Sequence, residues 1–238
     1  MTRRVLITLL STISALAALP AVAGAHHVWF VNGRAAHWAS TVNPARIDLG
    51  DNLNDAVWNS QRYIPAFVWS NGTFLNLAVR SGGLSSNEVE VYDGFYGPNG
   101  WIGQASLTSV DSQGHIRDAT IQLNRSYLLS QAEKHAALNH EVGHTLGLSH
   151  QSGTVMCAVL CGINNPVRHD YDVLAFVNFH TDSYNTPTLN LRAPAVVGET
   201  TARRDGAKGV VYVTRLPSRA VRVVFRDFVS ERAARAAL

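Results

Sequence analysis

The sequence predicts a mixed α+β fold built around one sizeable core. Short segments that alternate apolar and polar residues recur through the first half of the chain, as they do in half-buried strands. A segment from Ser130 to Leu146 then lacks proline and has a single interior glycine, which predicts a long helix. With 238 residues, 46% hydrophobic and 16% charged, the chain has the composition of a folded globular protein.

The individual elements follow from local patterns. Asn71 and Gly72 mark a turn between two apolar segments. The apolar segment Val57 to Phe67 could hold a first helix, limited by Pro65, and Asp170 is expected to cap a later helix running to about His180. Strands are expected at Ala45 to Leu49, Phe74 to Val79, Glu88 to Tyr92, Trp101 to Thr108 and within Ile121 to Leu128.

The most informative stretch runs from His140 to His150. On a helix, His140 and His144 project from one face, four residues apart, while Glu141 points about 100° around the axis. Gly147 allows the chain to leave the helix in a left-handed cap, so that His150 can return to the same point. Three imidazoles leave the fourth position of a tetrahedral Zn²⁺ open for water, which indicates a catalytic site.

This stretch resembles the extended zinc signature of the metzincin metalloproteases. The resemblance implies a zincin-like catalytic domain with a mixed β-sheet, an active-site helix, a methionine turn at Met156 and a closing C-terminal helix. Ala158 stands where some metzincin families carry a tyrosine, so a matrixin-like protein of the secreted bacterial type fits better. The resemblance is strong for residues 120–180, loose for 45–119 and absent for 190–238.

The implied activity is that of a metalloendopeptidase. Zinc lowers the pKa of bound water towards about 7, and Glu141 would act as general base and then protonate the leaving amine. The alternative is a zinc- and peptide-binding protein without useful turnover, and the motif leaves open a cell-wall peptide as substrate. Calcium is conceivable at Asp93 and Asn99, although their spacing matches no calcium loop.

The chain divides into three predicted regions. Residues 1–25 read as a secretory signal peptide cleaved after Ala23 or Ala25, 26–188 as the catalytic domain, and 189–238 as a basic extension. A membrane anchor is the alternative for the first region, but its apolar run is short and is interrupted by Pro20. We therefore expect a secreted protein with no membrane span in the mature chain.

Charge is distributed unevenly between these regions. Residues 26–188 carry 8 Lys and Arg against 13 Asp and Glu, whereas residues 189–238 carry 10 against 4. In the extension, Pro194 to Thr201 suggest a linker, and Gly209 to Thr214 with Ala220 to Phe225 predict a β-hairpin. The hairpin could add to the edge of the catalytic domain, bind an anionic surface, or form a structurally minor, solvated tail, which we favour.

Two further features bear on substrate binding. Cys157 and Cys161 are expected to pair in an oxidising compartment, and a thiolate that ligates the zinc is the alternative. The Trp101 to Ser109 strand could pair with a substrate backbone along an open edge, or be an ordinary strand of the sheet. We expect a monomer that acts on a protein or peptide, and the sequence contains no nucleic-acid-binding motif. The histidines outside the motif are expected at the surface or behind the ligands.

Overall fold

One mixed β-sheet dominates the fold. The computed structural model describes residues 27–81, 89–158, 160–186, 199–205, 209–216 and 220–238. The predicted signal peptide (1–25) and most of the predicted linker lie outside these residues. Across the described ranges, no helix is long and apolar enough to cross a membrane.

Strands and helices are interspersed along the chain, as expected for a mixed α+β fold. The strands are β1 (Phe30–Val31), β2 (Arg34–Ala35), β3 (Ala45–Asn52), β4 (Leu75–Ser81), β5 (Val89–Gly94), β6 (Trp101–Val110), β7 (Ile116–Asn124), β8 (Thr200–Asp205), β9 (Gly209–Arg215) and β10 (Val221–Phe228). The helices are α1 (Ala56–Gln61), α2 (Tyr63–Trp69), α3 (Gln131–Thr145), α4 (Arg168–Asn178) and α5 (Glu231–Ala236).

The sheet has a parallel half and an antiparallel half. Its described strands lie in the order β4-β3-β5-β7-β6-β10-β9-β8. The pairs β3–β4, β3–β5 and β5–β7 are parallel, whereas β6–β7, β6–β10, β9–β10 and β8–β9 are antiparallel. Helix α3 packs on β6 and β7, so its buried face lies over the centre of the sheet. The parallel strands need crossover connections, which explains why α1 and α2 fall between β3 and β4.

Two helix predictions need correction. The segment Val57 to Phe67 forms two short helices that meet at Arg62, and Pro65 is tolerated because it lies in the first turn of α2, where backbone N–H groups lack intrahelical partners. Helix α4 begins at Arg168, before Asp170. Asp170 is therefore not the N-cap; from the first turn, its carboxylate accepts a hydrogen bond from the Val167 N–H at 2.8 Å.

Helix α3 is defined by its own ends, as predicted. Ser130 and Glu133 form a reciprocal capping box at its start. At its end the Gly147 N–H donates to the His144 carbonyl and the Leu148 N–H donates to the Gly143 carbonyl, which is the Schellman arrangement. These bonds satisfy backbone groups that a helix end would otherwise leave without partners.

Two buried tryptophans then hold α3 against the rest of the core. The Trp69 indole N–H donates to the carbonyl of Asn139 at 3.1 Å, and that of Trp38 donates to the carbonyl of Thr145 at 2.8 Å. Both side chains are almost fully buried. Each therefore contributes apolar burial while its one polar group is satisfied.

The C-terminal extension forms the predicted hairpin but is not a solvated tail. Strand β10 pairs with β9 on one side and with β6 on the other, so the hairpin extends the main sheet. Burial of apolar side chains accounts for this pairing, because Val223 and Phe225 are fully buried against the core. Thr200 and Thr201 belong to β8 rather than to the linker. Of the two alternatives for the Trp101 to Ser109 strand, the structure shows the ordinary sheet strand, because β10 and β7 cover both edges of β6.

The capping box yields a stability prediction. We expect Ser130→Ala to lower the free energy of unfolding by about 1 kcal/mol, because the Glu133 N–H loses its acceptor at the helix start. Ser130→Thr keeps a hydroxyl acceptor and is expected to retain most of that stability. Urea unfolding of both variants measures the difference, and equal losses would contradict this role for the Ser130 side chain.

Candidate metal centre

The three histidines of the motif converge on one buried point. His140 and His144 project from α3, and His150 returns to them after the chain turns at Gly147. The Nε2 atom of His150 lies 3.2 Å from the Nε2 atoms of both His140 and His144. Tetrahedral Zn²⁺ with ligands at about 2.1 Å requires ligand atoms about 3.4 Å apart, so these separations suit one metal ion.

Every imidazole in this centre is oriented by its other nitrogen. Each Nδ1 faces an oxygen acceptor at 2.8 or 2.9 Å: the Val155 carbonyl for His140, the Leu148 carbonyl for His144 and the Asp205 carboxylate for His150. A carbonyl oxygen can only accept, so Nδ1 of His140 and of His144 carries the proton. Their Nε2 lone pairs are therefore directed inwards, as in metal-ligating histidines.

Gly147 determines where His150 lies. Its φ of +98° is in the left-handed region, and a Cβ at this position would overlap the carbonyl oxygen of Ala36. The Trp29 N–H donates to the Gly147 carbonyl at 2.8 Å. The predicted turn is therefore present, and the N-terminal segment packs directly against it.

Met156 lies beneath the histidine helix in a tight turn. The Met156 N–H donates to the hydroxyl oxygen of Thr154 at 2.9 Å, and its carbonyl accepts from the Gln151 N–H at 2.8 Å. The methionine is fully buried, and a Cβ on Gly143 would overlap its sulfur. The glycine within α3 is thus explained by the close approach of Met156.

Glu141 lies in the same buried space. Its Oε2 atom has no hydrogen-bond partner among the described residues. A Cβ on Gly103 of β6 would overlap the Glu141 carboxylate, so this glycine makes room for it. Burial raises the pKa of Glu141 well above its usual range, and the neighbouring Asp227 raises it further.

Asp227 of β10 also faces the histidines, and sequence reasoning missed both it and Asp205. Its Oδ2 atom lies 3.2 Å from His140 Nε2 and 3.7 Å from His144 Nε2, and its Oδ1 atom lies 2.7 Å from His150 Nε2. The predicted open fourth position is therefore faced by a carboxylate. No spacing rule could have found it, because 77 residues separate Asp227 from His150.

The electrostatics of this group suit a cation. Burial lowers the pKa of His144 to about 4, so its ring is neutral as a metal ligand must be. Burial opposes the charged form of His150, but Asp227 and Asp205 outweigh it and raise the pKa of His150 to about 10. A metal ion at the centre would displace that proton and take over the pairing with the carboxylates. Three imidazoles and one carboxylate are a donor set that fits zinc.

The wall beside this centre is apolar. A disulfide joins Cys157 to Cys161, so neither thiol is available to ligate a metal. Cys157 lines a small pocket that reaches His140 and Glu141. Its apolar lining residues include Ile102, Ala136, Val155, Leu160 and Ile163.

The side-chain oxygens of Asp93 and Asn99, which were considered for calcium, accept hydrogen bonds from other residues of the chain. The two Asp93 carboxylate oxygens accept from the N–H groups of Asn54 and Asp55, at 2.9 and 2.7 Å. The Asn99 side-chain oxygen accepts from the Asn124 amide at 3.2 Å. These oxygens therefore hold neighbouring loops in place.

Comparisons with known proteins add a likeness in structure only. No protein-family model and no curated protein matches this chain. A solved structure of myroilysin matches with 19% sequence identity and a TM-score of 0.32. The match covers 47% of this chain and 52% of that one, so the chain spans about half the length of myroilysin.

The contact between Asp205 and His150 yields a prediction about metal affinity. We expect Asp205→Ala to weaken Zn²⁺ binding about 10- to 100-fold, because the His150 ring loses the acceptor that orients it. Competition with a chromophoric chelator measures the affinity. Thr201→Ala, an exposed change on the same strand, is the control. Unchanged affinity in Asp205→Ala would show that the carboxylate does not support the ligand.

Proposed function

We propose that this chain is a secreted, zinc-dependent endopeptidase of matrixin-like metzincin type, in which Glu141 is the general base. The observation that carries the proposal is the convergence of three oriented imidazoles beside the buried carboxylate of Glu141 on α3. The resemblance in the zinc motif supports the finer assignment. Export rests on the predicted signal peptide, residues 1–25.

The residues of the centre divide the chemistry between them. His140, His144 and His150 would hold Zn²⁺, which lowers the pKa of a bound water and polarises the scissile carbonyl. Glu141 is placed one residue after His140, where it can take the proton from the attacking water and deliver it to the leaving amine. The absence of a side chain at Gly103 leaves space for this carboxylate.

The apolar pocket supports a peptide substrate. It opens beside Glu141 and His140 and is walled by the segment that follows Met156. The pocket is small in this structure, so it would have to widen before an apolar side chain next to the scissile bond could fill it and exclude water from the reacting groups. We therefore expect cleavage beside apolar residues of a protein or peptide.

A second candidate is a zinc-binding protein without turnover. The observation that favours it is Asp227, because a carboxylate as fourth ligand would close the coordination shell in the manner of a structural zinc site. In that case, removal of Asp227 would weaken metal binding and create no activity. The two candidates therefore differ in the expected effect of one substitution.

The test compares zinc-loaded full-length variants on several unfolded proteins. We expect Asp227→Ala to cut them, because the position beside Glu141 becomes free for water. Asp227→Ala/Glu141→Gln should retain its zinc and lose about 10²- to 10⁴-fold in rate, since the general base is missing. Product formation is followed by mass spectrometry and metal content by elemental analysis.

Chelator treatment and zinc return provide the control, and each should switch cleavage off and on again. A zinc-loaded Asp227→Ala chain that cuts none of the substrates would refute the endopeptidase, and the zinc-binding protein would take its place. Equal cleavage by the Glu141→Gln double variant would remove Glu141 from the mechanism.

A further inference from the structure

We propose that the chain has a second metal site, formed by His37, His115 and Asp182 with His180 at its rim, and that Zn²⁺ is its ligand. The three principal residues come from different parts of the fold: the segment after β2, the turn between β6 and β7, and the segment after α4. Their ligand atoms lie within 4.8 Å of one another. None of them belongs to the His140 centre.

The spacing of the second cluster fits tetrahedral coordination. The Asp182 Oδ1 atom lies 3.3 Å from His115 Nε2 and 3.6 Å from His180 Nε2, and its Oδ2 atom lies 3.7 Å from His37 Nε2. These values are close to the separation of about 3.4 Å between ligands of a tetrahedral zinc ion. The rings of His115 and His180 both lie edge-on to the His37 ring, with centroids 4.9 and 5.0 Å away.

His37 is aimed into this cluster with one nitrogen unused. Its side chain is only 9% exposed, and its Nε2 atom has no hydrogen-bond partner among the described residues. Its Nδ1–H donates to the Ala35 carbonyl at 2.9 Å, so the lone pair lies on Nε2. A buried imidazole nitrogen without a partner is costly unless something binds it.

His115 is oriented in the same manner. Its Nδ1 atom contacts the hydroxyl of Tyr184 and lies 3.4 Å from the Asp111 carboxylate, which directs Nε2 towards Asp182. Arg117 pairs with Asp111 and offsets its charge. An acceptor behind a histidine is the usual support for a metal ligand.

Burial lowers the pKa of His37, so its ring is neutral and available as a ligand. The imidazole and carboxylate donors match zinc better than calcium or magnesium, which prefer oxygen ligands.

A metal ion here would tie the N-terminal segment to the sheet. His37 already pairs with the β6–β7 turn, because its N–H donates to the Gly114 carbonyl and its carbonyl accepts from the Ile116 N–H. The adjoining Ala36 packs on Gly147. The second site would therefore stabilise the segment that supports the His150 turn.

The test uses a full-length chain that lacks the first site, His140→Ala/His144→Ala/His150→Ala. We expect it to bind one Zn²⁺ and to gain about 5 °C or more in melting temperature when zinc is added in large excess over the dissociation constant. Adding Asp182→Asn or His37→Ala should abolish both effects, while the control His135→Ala should leave them unchanged. The unsubstituted chain should bind two Zn²⁺.

Zinc binding that survives both Asp182→Asn and His37→Ala would overturn the second site. So would a triple variant that folds, judged by circular dichroism, and binds no zinc. If the triple variant does not fold, the Asp182→Asn single variant provides the test. The number of Zn²⁺ ions bound per chain should fall from two to one in that variant.

A separate observation carries a second inference, which rests on the proposed function. We infer that β10 blocks the active site of its own chain. It covers one edge of β6, with Phe225 opposite Ala105 and Asp227 opposite Gly103. The Asp227 carboxylate then faces all three imidazoles where water would enter.

Packing two residues before Asp227 holds β10 against the histidines. Phe225 stacks on His144 with ring centroids 4.2 Å apart and an interplanar angle of 9°. Both side chains are fully buried. The proposed block therefore acts at the histidines, and cleavage by the unsubstituted chain would require the Asp227 carboxylate to leave them.

Binding of acetohydroxamate to the zinc-loaded full chain tests this occlusion without measuring activity. We expect Asp227→Ala and Asp227→Asn to bind this metal-chelating probe at least about tenfold more tightly than the unsubstituted chain, because the competing carboxylate is gone. Arg222→Ala, five residues away on the same strand, should bind it like the unsubstituted chain. Calorimetric titration measures the affinities.

Equal affinities, or loss of zinc from the first site in both Asp227 variants, would overturn the occlusion. A variant that binds the probe more tightly but cuts no substrate would leave the occlusion intact and refute the endopeptidase. Failure of the second inference and failure of the proposed function are therefore distinguishable.

Discussion

Several ionisable side chains are buried around one point, and the surrounding fold must compensate for the cost of their burial. His140, Glu141, His144 and Asp227 are all almost fully buried, and His150 completes the group. Charges in such surroundings are costly unless they are paired or bind a metal. The surrounding fold supplies an acceptor behind each histidine, and the imidazoles and carboxylates pair with one another.

The helix that carries the histidines packs closely on its neighbours because two glycines leave space for buried side chains. Gly143 admits the Met156 sulfur, and Gly103 leaves room for the Glu141 carboxylate. Close packing of this kind holds side chains in single positions. A site preorganised in this way needs little rearrangement when a metal ion binds.

The C-terminal extension alters how accessible the histidine centre is. A zinc motif alone describes an open site on an exposed sheet edge, whereas the chain presents β10 along that edge and a carboxylate at the imidazoles. Apolar burial of Val223 and Phe225 accounts for the position of the strand. The basic extension therefore contributes a strand to the main sheet.

Features with local signals could be predicted from the amino-acid sequence. The capping box, the four-residue spacing of His140 and His144, and the turn at Gly147 are set by neighbours a few residues away, and each is present as predicted. Most strands were also predictable, because alternation is a property of short segments. The fold class, a mixed α+β arrangement, followed from their order.

Contacts between residues far apart in the chain could not be predicted in this way. Asp205 and Asp227 reach the histidines from strands far along the chain, and His37 meets Asp182 across the fold. No periodicity records such contacts, because they depend on strand order, register and helix packing. The local motif therefore specified the chemistry of the centre, and long-range packing decided what faces it.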